Sequence, residues 1–124
     1  MQVLIVEDDR ENRDGLATLI GRIAPQTQVL CAEDAQRALE LLRDAPVRLM
    51  FLDIRLPGMS GLELLEIMRS RGMDTPVVIL SAYDYFPYAQ QAIRLGVVDY
   101  LVKPYPEQSI RRALEQACAG LSEE

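Results

Sequence analysis

Polar and charged residues follow four of the short apolar runs in this sequence. They are, in chain order, Glu7, Asp8, Asp53, Ser81 and Lys103. Carboxylates that lie close together repel one another, and this repulsion raises their pKa values unless a cation lies between them. Mg²⁺ relieves such repulsion because it binds carboxylates, a backbone carbonyl and water through hard oxygen ligands. If the five residues converge, a cation, an ammonium group and a hydroxyl group surround one carboxylate and form a site for a phosphoryl group.

Asp53 is the predicted nucleophile of such a site, and an aspartyl phosphate is the predicted intermediate. The sequence contains no His. Without histidine the chain alone cannot perform His-based general acid–base chemistry, use a Ser–His pair or bind zinc through imidazole. These classes of hydrolase and zinc site are therefore excluded for the chain by itself.

Lys103 is the residue that favours a phosphoryl-binding site over a set of ordinary loop and turn residues. An acidic residue after a strand commonly lies in a solvated loop, and a serine there commonly serves a turn. The sequence has 13 basic residues, and Lys103 is the one Lys among them. An ammonium group is a compact charge, whereas a guanidinium group is a planar fork. The single Lys at this position indicates that an ammonium group is required there.

Five short runs of strand-forming residues must position these side chains. They cover residues 3–6, 28–31, 49–52, 77–80 and 100–102. Four of the runs are apolar without alternation, which is typical of strands buried on both faces of a sheet. The second run is shorter and more polar, and we predict that it lies at or near an edge.

Segments with helical periodicity separate the runs, and their apolar stripes are predicted to face the core. The stripes are Leu16, Leu19, Ile20 and Ile23; Ala35, Ala38, Leu39 and Leu42; Leu62, Leu65 and Met68; Ala89, Ala92 and Ile93; and Ile110, Leu114, Ala117 and Leu121. Ser60 is a predicted N-cap. Strands and helices therefore alternate, which predicts an α/β domain with a parallel sheet and helices on both faces. This single domain is predicted to span residues 1–124.

Composition restricts the partners and the location of the protein. The chain of 124 residues has 19 acidic and 13 basic residues, for a formal charge of −6. This excess of acid argues against nucleic acid or an anionic membrane as the direct partner. No apolar stretch approaches the roughly 20 residues of a membrane span, and the N-terminus is not a signal peptide. Cys31 and Cys118 are predicted to be reduced, partly buried thiols, and the protein is predicted to be cytoplasmic.

Four motifs along the whole chain resemble those of the receiver domain of two-component response regulators. They are Val6-Glu7-Asp8-Asp9, Asp53-Ile54-Arg55-Leu56-Pro57-Gly58-Met59-Ser60-Gly61, Ser81-Ala82 and Tyr100-Leu101-Val102-Lys103-Pro104. Their order and spacing make the resemblance specific. It implies the flavodoxin-like (βα)₅ fold, with five parallel strands in the order 2-1-3-4-5.

The resemblance also implies the roles of individual residues around the acceptor. Asp53 would accept the phosphoryl group from a phosphohistidine of a sensor histidine kinase, and the missing His means that this donor is another protein. Asp8 and Asp53 would bind Mg²⁺ directly together with the Arg55 carbonyl, and Glu7 would bind it through water. Asp9 is the less suitable ligand of the acidic run.

Further expectations from the family concern the active state. Ser81 would hold a phosphoryl oxygen, Tyr100 would move inward as Ser81 shifts, and Lys103 would pair with the phosphoryl group. The Lys103–Pro104 peptide bond is expected to be cis. Arg55 and Tyr83 occupy the two positions that tune phosphate lifetime, and their bulk predicts slow autodephosphorylation; the alternative is that both simply lie on the surface.

The output of the switch is not visible in the sequence. The face formed by the fourth helix, fifth strand and fifth helix would offer residues to a partner or to a second copy of the chain, unless it is only a solvated charged face. These residues are Arg94, Tyr105, Arg111 and Arg112. Residues 81–89 resemble receivers joined to AraC-type DNA-binding domains, so we expect control of transcription. The chain is either a complete regulator or a receiver from a longer protein that carries the output domain.

Two other classes of protein share parts of this pattern. A Mg²⁺-dependent phosphohydrolase acting through Asp53 would commonly have a second acid two residues later, where this chain has Arg55. A flavin-binding domain would need a phosphate-binding loop after the first strand, where the acidic run would repel the phosphate. We therefore predict a phosphoacceptor that is not a turnover enzyme, with the phosphohydrolase as the alternative.

Overall fold

Five strands alternate with five helices in the computed structural model, which describes residues 1–122 and the side chains of residues 1–119. The strands are β1 (Gln2–Val6), β2 (Gln28–Ala32), β3 (Val47–Asp53), β4 (Val77–Ser81) and β5 (Asp99–Val102). The helices are α1 (Arg10–Ile23), α2 (Ala35–Asp44), α3 (Gly61–Ser70), α4 (Phe86–Arg94) and α5 (Glu107–Ser122). The predicted core position of Leu121 and the predicted domain end at residues 123–124 lie outside the described part.

All strand pairs of the sheet are parallel, and the strand order is β2-β1-β3-β4-β5. This confirms the predicted fold class and the placement of β2 at an edge. The chain moves outward from β1 to β2 and then returns to place β3 on the other side of β1. The order reverses at this point, and ligands of open parallel sheets bind beyond the carboxyl ends of the strands there.

Each face of the sheet is covered by its own apolar core, which explains why the inner strands are apolar without alternation. On one face, Leu4, Met50 and Ile79 pack with apolar residues of α2, α3 and α4. On the other face, Ile5 and Phe51 pack with apolar residues of α1 and α5. Helices thus lie on both faces, as predicted. No helix in the described part of the chain is long and apolar enough to cross a membrane.

Two details of the predicted packing are wrong. Ile93 was expected to face the core, but it is 73% exposed, because α4 is short and its buried contact is made by the adjacent Ala92. Neighbouring helical residues point about 100° apart, and in α4 Ala92 points toward the core while Ile93 points to solvent. Cys31 and Cys118 are exposed rather than partly buried. Cys31 lies on the edge strand β2, which is covered less completely than the inner strands.

The start of α3 is pressed against the end of β3, directly beside Asp53. Ser60 caps the helix as predicted, since its side chain accepts a hydrogen bond from the Glu63 N–H at 3.1 Å. The Gly61 N–H donates to the Ile54 carbonyl at 2.6 Å. A Cβ atom on Gly61 would overlap the backbone carbonyl oxygen of Asp53. Only glycine allows this close approach, so Gly61 fixes the position of the strand end that carries Asp53.

We expect Gly61→Ala to lower the free energy of unfolding by about 1–3 kcal/mol, because the added methyl group forces the Asp53 backbone to move. The matched control is Gly15→Ala in α1, where a Cβ atom meets nothing within 4 Å. That change should raise the free energy of unfolding by about 0.5–1 kcal/mol, as Ala replaces Gly inside a helix. Urea unfolding of the three proteins measures both effects, and equal midpoints for Gly61→Ala and the parent would contradict the proposed contact.

Candidate functional site

The residues singled out in the sequence meet at the carboxyl edge of the sheet. Glu7 directly follows β1, Asp53 ends β3, Ser81 ends β4 and Lys103 directly follows β5. These four strands are neighbours in the sheet, so their ends lie side by side. Glu7, Asp53 and Ser81 are buried, although each carries a polar side chain. A cluster of buried polar groups at this edge needs internal partners.

Lys103 supplies the counter-charge for two buried carboxylates. Its Nζ atom donates to Asp53 Oδ2 at 2.8 Å and lies 3.5 Å from Glu7 Oε1. Glu7 is 5% exposed and Asp53 is 7% exposed, whereas the Lys103 side chain is 29% exposed. One ammonium group therefore bridges two carboxylates from neighbouring strands. It neutralises one of the two negative charges and leaves the pair with a surplus of negative charge.

The pKa values of this cluster reflect burial and mutual repulsion. Burial, followed by the charge of Asp53 and a hydrogen bond with it, raises the pKa of Glu7 to about 7, and Lys103 offsets this only in part. Burial lowers the pKa of Lys103, but its hydrogen bond with Asp53 and the charges of Asp53 and Glu7 outweigh burial and raise that pKa overall. Lys103 is thus a firmly charged cation, while Glu7 is a carboxylate that lacks a full counter-charge.

The second oxygen of Asp53 is oriented by the backbone. Asp53 Oδ1 accepts a hydrogen bond from the Arg55 N–H at 2.9 Å, and Oδ2 accepts from Lys103. Each carboxylate oxygen has two lone pairs, so both oxygens retain one for a further ligand. The carboxylate is therefore held in one orientation and can still react or bind a cation.

The acidic run after β1 divides into three environments. Glu7 is buried in the cluster, Asp8 is exposed at its edge, and Asp9 is the N-cap of α1. The Asp9 side chain accepts from the Asn12 N–H at 2.9 Å. Asp9 thus serves the helix, and Asp8 is the exposed carboxylate that directly follows Glu7.

The donor set suits Mg²⁺ better than a metal that needs a cage of protein side chains. In the part of the chain that the structure describes, no group of three or more acidic or thiol side chains is arranged to hold a metal ion. The cluster instead offers two buried carboxylates short of positive charge, with Asp8 beside them. Mg²⁺ binds through one or two carboxylates and keeps several water ligands, so the residues present fit it.

The two predicted switch residues, Ser81 and Tyr100, both form hydrogen bonds with the backbone of Tyr83. Ser81 Oγ donates to the Tyr83 carbonyl at 3.2 Å and accepts from the Tyr83 N–H at 2.9 Å. Tyr100 Oη donates to the same carbonyl at 3.0 Å. The Tyr83 carbonyl is thus the shared partner of Ser81 and Tyr100. The sequence carries no signal for this role, because a carbonyl is present in every residue.

The two predicted tuning residues contact each other. The guanidinium carbon of Arg55 lies 5.5 Å from the centre of the Tyr83 ring, which is a cation–π contact. Tyr83 also contacts Tyr88 of α4 edge to face, with ring centres 6.2 Å apart. Both side chains are exposed, but they form one unit beside Asp53 rather than two independent surface groups.

Other expected features lie on α4, on α5 and in the loop between β5 and α5. The Lys103–Pro104 peptide bond is cis. Tyr105 is half-buried, and Arg111 lies 3.4 Å from Glu107 on α5. Arg94 and Arg112 are exposed. Beside them lie two apolar side chains that were not expected on this face, Ile93 and Val98, the latter 43% exposed.

Sequence reasoning also missed Arg13. Its Nη1 atom donates to the Glu7 carbonyl at 3.1 Å, across the loop between β1 and α1. The sequence feature that could have identified Arg13 is its position one helical turn after the N-cap Asp9, next to the acidic run. An Arg at such a position is usually a surface residue, so the spacing alone did not single it out.

Comparison with known proteins agrees with this geometry. The family model for the response regulator receiver domain matches residues 3–115. Regulator of RpoS from Escherichia coli K12 is 40% identical over 117 residues, which cover 94% of this chain and 34% of that protein. Transcriptional regulatory protein FixJ from Bradyrhizobium diazoefficiens is 30% identical over 115 residues, which cover 93% of this chain and 55% of that protein. The chain thus spans about a third to about half the length of these relatives.

A solved structure shows the same likeness in three dimensions. The response regulatory domain of the protein mrkE from Klebsiella pneumoniae superposes with a TM-score of 0.86 at 27% identity, and the match covers 100% of both chains. The strand order, the converging Asp53 and Lys103, and the matched sequence agree with one another. This chain belongs to the family of receiver domains of two-component response regulators.

Proposed function

We propose that the domain accepts a phosphoryl group on Asp53 from a phosphohistidine of a sensor histidine kinase, with Mg²⁺ bound at the same site. The observation that carries the proposal is the buried Glu7–Lys103–Asp53 cluster at the carboxyl edge of the sheet. It combines an oriented nucleophile, a fixed cation and a surplus of negative charge that a divalent ion would neutralise. Asp8 and Asp53 would hold Mg²⁺ with the Arg55 carbonyl, and Glu7 would contribute through water.

In the transfer step, a carboxylate oxygen of Asp53 forms a bond to phosphorus as the bond from phosphorus to the donor nitrogen breaks. The ammonium group of Lys103 already lies 2.8 Å from this carboxylate, so it can pair with the phosphoryl oxygens without a large movement. When bound, Mg²⁺ supplies further positive charge for those oxygens. Such preorganised charge is the main source of catalysis in phosphoryl transfer.

The switch would begin when Ser81 leaves its present partner. In this structure both hydrogen bonds of Ser81 Oγ go to Tyr83, so the hydroxyl group must turn to reach a phosphoryl oxygen. Tyr83 would then shift, and its carbonyl also holds Tyr100. Release of Tyr100 would change the face formed by α4, β5 and α5, which is the proposed output surface.

Acceptance of the phosphoryl group can be tested with acetyl phosphate as a small donor. With Mg²⁺ present, the intact mass of the protein should show one phosphoryl adduct, and Asp53→Asn should show none because it lacks the nucleophilic oxygen. Asp84→Asn is the matched control, because it removes the charge of an exposed Asp in the loop after β4. An adduct that persists in Asp53→Asn, or no adduct on the parent, would contradict the proposal.

The same proteins decide between a phosphoacceptor and a phosphohydrolase. Sustained release of phosphate from p-nitrophenyl phosphate would indicate turnover through Asp53. We expect none beyond the uncatalysed rate, since the position two residues after Asp53 is occupied by Arg55, which cannot protonate a leaving group as a carboxylic acid does.

The Arg55–Tyr83 pair is proposed to slow hydrolysis of the aspartyl phosphate by restricting access of water. Arg55→Ala and Tyr83→Ala should each shorten the phosphate lifetime several-fold. The double variant should depart from additivity by about 0.5–1 kcal/mol in the barrier, which is the energy of an exposed cation–π contact. Decay of the phosphorylated mass after removal of acetyl phosphate measures the lifetime.

Tyr85→Ala is the control for this pair. Tyr85 is an exposed Tyr two residues further along, and its ring contacts Tyr88, with centres 4.7 Å apart. Its removal should leave the phosphate lifetime unchanged, since its ring contacts Tyr88 edge to face and does not lie under Arg55. Equal lifetimes for the parent, Arg55→Ala and Tyr83→Ala would show that these side chains do not restrict water.

We further propose that phosphorylation controls an output, namely transcription, through the α4–β5–α5 face. The relative FixJ is named a transcriptional regulatory protein. Residues 81–89 also resemble receivers joined to AraC-type DNA-binding domains. Any contact with DNA would belong to an output domain, as this chain is acidic. We place the reaction in the cytoplasm, where ATP is available to phosphorylate a kinase histidine.

The α4–β5–α5 face is also the proposed contact between two copies of the phosphorylated chain. Among the side chains that the structure describes on this face, Ile93 is the most exposed apolar one, at 73%. Ile93→Glu should weaken self-association in the presence of acetyl phosphate and Mg²⁺ by about tenfold or more, because burial of one Ile contributes about 1.5–3 kcal/mol. Sedimentation velocity measures this, with Thr18→Glu on the exposed side of α1 as the control. Equal association of both variants would place the contact elsewhere.

A further inference from the structure

The loop between β1 and α1 is fixed to the protein on both sides of Asp8. Before Asp8, the Glu7 N–H donates to the Ala32 carbonyl of β2 at 3.0 Å, and the Glu7 carbonyl accepts from Arg13 Nη1 at 3.1 Å. After Asp8, the Asp9 carbonyl accepts from the Arg13 N–H at 2.9 Å. Arg13 thus contributes a hydrogen bond on each side, one from its guanidinium group and one from its backbone.

The guanidinium bond constrains the backbone that carries the Asp8 side chain. A peptide unit is planar, so the direction of a carbonyl fixes the plane of the peptide that contains it. The Glu7 carbonyl belongs to the peptide that enters Asp8, and Arg13 Nη1 holds that carbonyl. The Asp9 carbonyl belongs to the peptide that follows Asp9, so the second bond fixes the first turn of α1 rather than Asp8 itself. Because the Asp8 side chain is exposed, its orientation depends on the entering peptide that the Arg13 guanidinium group holds.

We infer that Arg13 is a positioning residue for Asp8, and that it sets the affinity of the site for Mg²⁺ without touching the phosphoryl group. This inference rests on the Mg²⁺ site of the proposed function. Arg13 lies on α1 and reaches the back of the loop, whereas Lys103 faces the acceptor carboxylate. Loss of Arg13 should therefore weaken binding of Mg²⁺, while saturating Mg²⁺ restores the maximal rate of phosphorylation.

The expected size of the effect follows from groups that orient metal ligands in other proteins. Removal of such a group typically weakens metal binding by about 10- to 100-fold. A change of the Arg13 side chain removes its bond to the Glu7 carbonyl but keeps the backbone bond to the Asp9 carbonyl. We therefore expect an effect at the lower end of this range, about tenfold. Arg13→Met removes the donors but keeps the apolar stem. Arg13→Lys keeps the charge and one donor group, and should recover part of the affinity.

Isothermal titration with Mg²⁺ alone measures the dissociation constant for the parent, Arg13→Met, Arg13→Lys and the control Arg10→Met. Arg10 lies on the same helix and pairs with Asp14 at 3.6 Å in an exposed position, so Arg10→Met makes the same change in net charge. We expect about tenfold weaker binding for Arg13→Met and parental binding for Arg10→Met. Amide exchange of Asp8 and Asp9 in Mg²⁺-free protein should rise in Arg13→Met only, which reports loop order without metal.

The possible results separate this inference from the proposed function. Normal binding of Mg²⁺ by the parent and by Arg13→Met would overturn the positioning role and leave the Mg²⁺ site intact. Equal weakening in Arg13→Met and Arg10→Met would assign the effect to net charge and also overturn it. Absence of Mg²⁺ binding by the parent would overturn both. If Arg13→Met fails to fold, Arg13→Gln decides, since its shorter side chain cannot reach the Glu7 carbonyl; parental affinity and parental amide exchange in that variant would overturn the positioning role.

Discussion

The repulsion between two buried carboxylates, Glu7 and Asp53, is the constraint on which this site depends. The parallel sheet places the ends of β1 and β3 side by side, so the two charges cannot separate without breaking the sheet. Burial then denies them water, which raises the pKa of Glu7 to about 7. Lys103 neutralises one of the two negative charges. A divalent cation would neutralise the negative charge that remains. The apolar core thus creates the electrostatic imbalance on which the proposed phosphoryl transfer depends.

The sequence predicts the strands and the acceptor cluster well because both follow from short-range rules. Continuous apolar runs indicate strands buried on two faces, and residues after such strands must meet at one edge. The single Lys among 13 basic residues then identifies Lys103. The order of the strands and the role of Tyr100 came from the family resemblance instead, since neither hydrophobic periodicity nor spacing specifies which strands are neighbours.

The residues that the sequence could not identify act through contacts that leave no compositional trace. The Tyr83 carbonyl joins Ser81 and Tyr100, but any residue would supply a carbonyl. Arg13 reaches a backbone atom six residues earlier, and eleven other Arg side chains could do the same from a suitable position. Ile93 fits the apolar stripe of a helix, yet its side chain points to solvent, since Ala92 is the one buried residue of the nine in α4. These errors concern where a side chain points, which depends on tertiary packing.

The packing of α4 is uneven in a way that suits a switch. Its C-terminal end is tied to α3, because Arg69 of α3 donates to the Leu95 carbonyl at 2.8 Å. The same guanidinium group donates to the Met73 carbonyl at 2.7 Å, which anchors it to the loop after α3. Its N-terminal end starts at Tyr85 without a side-chain cap and is followed by exposed Phe86 and Pro87. Segments with few buried contacts open at the lowest free-energy cost. The end of α4 near Ser81 and Tyr83 is therefore the end that the proposed switch would move, while the Arg69–Leu95 contact keeps the other end against α3.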